Sequence, residues 1–154
     1  MVSLGTFAQS LADRLERVDG PGMRFATPGA LAQHLDPTTV QTPALGLIDA
    51  ALVDVAEGRN DRLMISFSPQ EGKSQRTSRR FPEWILSRRP ETRIAIVSYA
   101  HGIARRWGRA IRDDIASNPD VFGVSINPNS AAQHEWELDG HQGGCYTVGV
   151  KGSL

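Results

Sequence analysis

A polar loop near the middle of the chain carries residue types suited to binding phosphate, and it reads Ser68-Pro69-Gln70-Glu71-Gly72-Lys73-Ser74. The apolar, strand-like run 62–67 precedes this loop, and a segment with helical spacing follows it. A loop between a strand and a helix turns backbone N–H groups inward, and the helix N-terminus adds partial positive charge. In such a loop Lys73 would reach the β- and γ-phosphates of a nucleotide, and the Ser74 hydroxyl would ligate Mg²⁺.

The loop departs from the general pattern G-x-x-x-x-G-K-[ST] at its first position, where Phe67 stands in place of glycine. A bare Gly-Lys-Ser also opens ordinary surface helices, and that is the alternative interpretation. The structural context decides between the two, because the pattern has meaning only with a strand before it and a helix after it.

Length and composition indicate one ordinary domain. The 154 residues are enough to bury a core, and seventeen Lys/Arg balance seventeen Asp/Glu. The single cysteine, Cys145, excludes an internal disulfide and is typical of a reducing compartment. Neither a signal peptide nor an apolar run near the roughly 18 residues of a membrane span is present. We therefore expect a soluble protein of the cytoplasm, with no membrane partner.

Charge is distributed unevenly along the chain. Residues 62–112 contain twelve Lys/Arg and three acids, whereas 1–61 contain four and eight, and 113–154 contain one and six. A basic block between two acidic segments suits phosphates, nucleic acid or an acidic neighbouring subunit. The alternative is a solvated helix face rich in arginine.

The first part of the chain, 1–58, reads as a helical segment. Apolar residues recur at helical spacing between Ser3 and Val18, and Thr27-Pro28 and Thr42-Pro43 each place a cap and a first-turn proline before a further helix. Gly58 ends the third helix.

The second part, 59–154, reads as alternating strands and helices. The helix after Lys73 contains Pro82, which predicts a kink or a break near Phe81. Residues 93–99 form an apolar strand expected to be buried on both faces, so that 62–99 make one βαβ unit.

A helix is predicted from His101 to Ser117, with inward residues Ile103, Trp107, Ala110, Ile111 and Ile115. Residues 121–133 are expected to be irregular, and 135–138 to pair with 145–150 as a β-hairpin. The spacing of His134, His141 and Cys145 matches no zinc pattern, so the sequence predicts no zinc site there.

Several separated blocks give the chain a resemblance to a known family. They are the loop 68–74, Arg79-Arg80-Phe81-Pro82-Glu83-Trp84, the strand 93–99 ending in Ser98-Tyr99, Arg106-Trp107-Gly108-Arg109 and Gly143-Gly144-Cys145-Tyr146-Thr147-Val148-Gly149-Val150. In this order they resemble the start of the ATPase domain in large terminase subunits of tailed bacteriophages and prophages. The resemblance covers about 62–154 and is weaker over 41–55.

The resemblance implies an α/β, P-loop NTPase-like partial parallel sheet with an N-terminal helical segment and a C-terminal β-hairpin. It implies a motor that hydrolyses ATP with Mg²⁺ to package double-stranded DNA, working as a homo-oligomeric ring with a small subunit and the portal of the procapsid. On this basis Ser68, Pro69, Gln70, Glu71, Gly72, Lys73 and Ser74 would bind ATP, with Ser74 on the metal and Gln41 as an adenine contact. Arg105, Arg106 and Arg109 are the candidates for a charge donated to a neighbouring subunit's nucleotide, a role worth roughly 10³ to 10⁵ in rate in other NTPases.

Two departures from the family limit the expected activity. Gln70 stands where the family often has arginine, and no apolar strand ending in paired acids supplies the Walker B carboxylates, because Asp113-Asp114 and Asp49 fall in helices. The sequence therefore predicts a fragment that binds nucleotide but does not hydrolyse it competently alone. Alternatives are a non-catalytic module that binds nucleic acid or a terminase ring, and another P-loop ATPase.

Overall fold

A mixed four-stranded sheet, with helices packed against one of its faces, makes up the part of the chain described by the computed structural model, residues 25–150. The helix predicted between Ser3 and Val18 lies outside the described residues. The α/β class predicted from the sequence is confirmed.

The first two described helices begin as their sequences predict. Helix α1 spans Pro28–Leu35 and α2 spans Pro43–Ala56. The hydroxyl of Thr27 accepts a hydrogen bond from the Ala30 N–H at 3.1 Å, and the hydroxyl of Thr42 caps α2 in the same way. A side-chain oxygen at this position satisfies an N–H group that has no partner inside the helix.

Residues 73–88 form one continuous helical segment of three parts. Helix α3 is Lys73–Gln75, a π turn spans Arg76–Arg80, and α4 is Phe81–Arg88. Pro82 has no N–H to donate to the preceding turn, so a regular α-helix is not possible there. The predicted irregularity near Phe81 is confirmed in position, and it takes the form of a π turn in which the Phe81 N–H donates to the Arg76 carbonyl.

The sheet has the order β1-β4-β3-β2. Its strands are β1 Arg93–Ser98, β2 Ile126–Ala131, β3 Glu135–Leu138 and β4 Gly144–Gly149. Strand β4 runs parallel to β1 and antiparallel to β3, so the predicted C-terminal hairpin is confirmed. Helices α5, His101–Ser117, and α6, Pro119–Phe122, connect β1 to β2.

The predicted strand at 62–67 is wrong. Residues 62–68 have no regular secondary structure, and no backbone hydrogen bond joins 62–71 to another described residue. Ile65 and Phe67 instead pack on an apolar cluster of α2 formed by Leu45, Ile48 and Leu52. An apolar run becomes a strand only when a partner offers its backbone, and within residues 25–150 the strands pair with one another and not with this run. The predicted βαβ unit over 62–99 is therefore not formed.

The region predicted to be irregular, 121–133, contains the last two residues of α6 and all of β2. Proline removes a ladder hydrogen bond from a central strand, but β2 is at the edge of the sheet and its pairing with β3 is interrupted. Pro128 is therefore tolerated there.

Strand β1 is buried on one face only, contrary to the sequence prediction. Ile94 and Ile96 pack on the core, whereas the side chain of Val97 is 59% exposed. Helix α5 also presents a rotated face to the sheet, because Ala104 and Gly108 are buried together with Ile111 and Ile115, while Ile103 is 36% exposed.

Close contacts explain two glycines of the family-like blocks, Gly108 between α5 and the sheet and Gly144 between β4 and β3. Trp136 donates its indole N–H to the carbonyl of Gly108 at 3.0 Å, and a Cβ on Gly108 would collide with the methyl group of Thr147. A Cβ on Gly144 would collide with the carbonyl of Trp136. Gly108 thus lets α5 lie close to the sheet, and Gly144 lets β4 lie close to β3.

Candidate functional site

The loop 68–72 enters the helical segment through two residues with positive φ. Gly72 has φ 82° and precedes Lys73, the first helical residue, while Gln70 has φ 63°. The left-handed region has little cost for glycine and a larger one for glutamine. The Arg76 N–H donates to the Gly72 carbonyl at 3.0 Å and closes the first turn. The helix predicted after the loop is confirmed, and the strand predicted before it is absent.

A cavity of about 460 Å³ opens beside this loop. The loop and the helical segment form one wall, with Gln70, Glu71, Gly72, Gln75, Arg76, Arg79 and Arg80. The end of α1 and the start of α2 form the other wall, with Ala32, Asp36, Thr39, Val40, Thr42 and Leu45. This volume is within the range of roughly 300–1,000 Å³ found for small-molecule sites.

The predicted loop residues divide into two groups around the cavity. Gln70, Glu71 and Gly72 line it, whereas Ser68, Pro69, Lys73 and Ser74 do not. Lys73 is half-buried and Ser74 is exposed. The cavity therefore lies on the side of the helical segment that carries residues 75, 76, 79 and 80.

Behind the cavity, the exposed residue Gln41 bonds to the buried pair Asp49 and Arg76. The Gln41 amide nitrogen donates to Asp49 Oδ2 at 2.8 Å, and Arg76 Nη2 donates to the Gln41 carbonyl oxygen at 2.7 Å. Arg76 Nη1 also forms an ion pair with Asp49 Oδ2. Both polar ends of Gln41 are thus bonded within the protein.

A second network joins the π turn and α4 to α5. Arg79 donates to both oxygens of Asp114, at 2.7 and 2.9 Å, and Arg80 bridges Asp114 and Glu83 at 2.9 and 2.8 Å. Burial and a hydrogen bond with Asp114 raise the pKa of Glu83 well above its ordinary value. Burial also acts to raise the pKa of Asp114, but hydrogen bonds from Arg79 and Glu83 and the two arginine charges outweigh it and lower that pKa. The raised pKa favours the protonated form of Glu83.

Sequence reasoning missed Asp49, Arg76 and Glu83 as parts of this region. The sequence contained a signal for Asp49, because this acid lies close to the apolar residues Ile48 and Leu52 of the same helix. An acid in such a position is expected to be buried and paired with a base. No comparable signal marked Arg76 or Glu83, since both belong to a charged stretch that reads equally well as a solvated face.

The three candidate catalytic arginines are not brought to the cavity. Arg105, Arg106 and Arg109 are exposed on α5, and Arg106 stacks over Trp107 at 5.2 Å. None of the three forms an ion pair with a described carboxylate.

The donors needed for a metal are sparse in this region. Within residues 25–150 no group of three or more His, Cys, Asp and Glu side chains is gathered. Mg²⁺ is usually held by one or two carboxylates together with substrate phosphates, and near the loop only the Ser74 hydroxyl matches the predicted ligands. Of the side chains weighed for zinc, Cys145 is buried, which raises its pKa to about 12, and His141 Nδ1 contacts Glu91 at 2.7 Å.

Comparisons with protein-family models, with the curated proteins and with solved structures gave no match. A helix long and apolar enough to cross a membrane is not found among residues 25–150.

Proposed function

We propose that this chain is the N-terminal part of a terminase large subunit and that it binds ATP at the loop 68–74. The observation that carries the proposal is the loop itself: Gly72 in the left-handed conformation leads directly into a helix at Lys73, beside a cavity of about 460 Å³. The sequence blocks that resemble terminases support the family, and the absence of the predicted strand 62–67 weighs against a complete phosphate-binding loop.

In the proposed complex the nucleotide extends along both sides of the loop. Lys73 would neutralise the β- and γ-phosphates, and Gly72 would let the backbone approach them closely because it lacks a side chain. The cavity would take the base and ribose, with Val40 and Leu45 as the apolar part of its lining.

Hydrolysis by this chain alone is not part of the proposal. Phosphoryl transfer requires a group that positions the water and carboxylates that hold the metal, and the sequence offers neither at a strand end. The remaining family properties are proposed with the family: double-stranded DNA, a small subunit and a portal as partners, assembly as a ring, and action in the bacterial cytoplasm.

The test is titration of the chain with ATP, followed by calorimetry, for the wild type and for Lys73→Ala. Loss of a charge-assisted bond of about 1.5–3 kcal/mol should weaken binding by roughly 10- to 100-fold. Arg89→Ala is the matched control, because Arg89 is an exposed cation just after the same helical segment. Failure of the wild type to bind millimolar ATP would overturn the proposal, and turnover abolished by Lys73→Ala would favour an active P-loop ATPase instead.

A second candidate is a nucleic-acid-binding module, favoured by the exposed arginines of α5. Arg105 and Arg109 are one helical turn apart, so they project from the same side of α5. Binding to duplex DNA should then weaken steeply with salt, and each arginine changed to alanine should reduce the salt slope by about one. Lys73→Ala should leave that binding unchanged.

A further inference from the structure

We infer that Asp49 is a positioning residue that sets the width of the cavity by holding Arg76 and Gln41 together. The inference rests on the proposed function, because it assigns a role to the wall of that same cavity. It differs from the sequence expectation, in which Gln41 contacts adenine.

The network connects the two walls of the cavity. Gln41 lies between Val40 and Thr42 on one wall, and Arg76 belongs to the opposite wall. Asp49 accepts from both, so the carboxylate fixes the position of one wall relative to the other. Through its own N–H, Arg76 is also bonded to the carbonyl of Gly72, and the network therefore reaches the loop.

The surroundings leave the buried pair Asp49 and Arg76 little freedom, whereas Gln41 is exposed and is held by its two hydrogen bonds. Asp49 is 2% and Arg76 3% exposed. A Cβ on Gly29 would overlap Asp49 Oδ2, and it would lie 3.1 Å from Asp49 Cγ, so α1 closes over the ion pair. A buried guanidinium that donates to two planar acceptor groups is held in one orientation. A cavity wall of fixed width needs side chains held in this way.

Stability alone does not explain a buried ion pair at this place. Well-packed apolar residues of similar volume are often equally or more stabilising than a buried arginine–carboxylate pair, because desolvation offsets the attraction. Asp49 Oδ1 is buried and bonded to no described group, which adds to that cost. Directional bonding of Arg76 and Gln41 is what an apolar replacement could not provide.

The two hydrogen bonds of Gln41 fix the orientation of its amide group between Asp49 and Arg76. Its amide donates to Asp49 and accepts from Arg76, and the reversed amide would place an NH₂ group against the guanidinium. A base in the cavity would meet Val40 and Thr42 rather than the Gln41 amide.

The test compares the full chain with the variant Asp49→Leu/Arg76→Met, which replaces the ion pair with apolar side chains. Three quantities are measured: the urea midpoint, the NMR order parameters of the amides of residues 70–72, and the dissociation constant for ATP. We expect an unchanged or higher midpoint, order parameters that fall from about 0.85 to below about 0.6, and ATP binding weakened by about tenfold or more.

Gln41→Met is the second variant, because it keeps the ion pair and removes only the two hydrogen bonds made by Gln41. Its urea midpoint should stay closer to that of the wild type than the midpoint of the double variant does. The order parameters of residues 70–72 should again fall. Gln33→Met is the control, since Gln33 is exposed on α1 and does not line the cavity.

The outcomes separate the two proposals. Order parameters that are already low in the wild type, or that both variants leave unchanged, overturn the inference whether or not ATP binds. A rigid wild-type loop that both variants loosen supports the network, even if wild-type ATP binding fails and the proposed function is abandoned. Tight ATP binding that neither variant weakens overturns the inference and leaves the proposed function standing.

Discussion

The two arginine–carboxylate networks beside the π turn differ in how their charges are matched. Asp49 and Arg76 are one acid and one base, each 3% exposed at the side chain, with a neutral amide completing their bonds. On the other side, Arg79 and Arg80 share Asp114 and Glu83, and burial raises the pKa of Glu83. The first network contains one carboxyl group, whereas the second contains two.

This difference predicts different responses to the loss of one member. Removing Asp49 leaves a buried guanidinium without a counter-charge. Burial, the largest cause of the raised pKa of Glu83, remains when Asp114 is removed, but a hydrogen bond and a like charge that also raise that pKa are lost, so we expect Glu83 to ionise more readily and to replace part of the lost charge. Neighbouring turns of one helical segment thus contain a rigid pair and an adaptable cluster.

The largest effect is expected for Asp49→Ala. An unpaired charge left in the interior typically costs about 3–5 kcal/mol, so the free energy of unfolding should fall by that amount in urea titrations. A loss below about 1 kcal/mol would show that water or another group reaches Arg76, and the contrast with the Asp114 cluster would disappear.

A smaller loss, about 1–2 kcal/mol, is expected for Asp114→Asn. The carboxylate accepts three arginine hydrogen bonds, but partial exposure screens the charges and Glu83 compensates. Urea unfolding at neutral pH measures the loss. Asp113→Asn is the neighbouring control: Asp113 is 53% exposed in its pair with Arg112, so its change should stay within about 0.5 kcal/mol.

The third effect is a change in pH dependence for Glu83→Gln. Since the folded chain holds the Glu83 proton more tightly than the unfolded chain, this group stabilises the fold at acid pH. That contribution is lost as the pH rises above the ordinary value of 4.5 and toward the raised pKa. Glutamine keeps a hydrogen-bond donor at every pH, so the stability of the variant relative to wild type should increase over this range.

Urea midpoints at several pH values between about 4.5 and 8 measure this slope. Glu135→Gln, at an exposed position on β3, serves as the control and should give a curve parallel to wild type. A parallel curve for Glu83→Gln as well would mean that the buried carboxyl group is already ionised at low pH.

Local signals in the sequence predicted the elements whose start or irregularity is determined by neighbouring residues. The Thr-Pro pairs before α1 and α2 specify the helix starts within four residues, and the π turn follows from the missing N–H of Pro82. The strand expected at 62–67 failed for a different reason. Pairing depends on which backbone is available alongside, and that is decided by residues far away in the chain.

The candidate site was predictable only in part for the same reason. The loop and its helix were local, and both were anticipated around Gly72 and Lys73. The cavity required α1 and α2 to meet the π turn, and Asp49 acquires its role from Arg76, which is 27 residues away. Pairings over such distances are not visible in the spacing of residue types.

The one-sided burial of β1 has a practical consequence for handling the protein. Val97, Tyr99 and Tyr146 are exposed by 59%, 74% and 48%, and β1 has β4 on one side and no described strand on the other. An apolar surface next to an open strand edge promotes aggregation between chains, which depends on concentration. Light scattering that rises with concentration, and that falls when Val97 is changed to lysine, would be the sign of that liability.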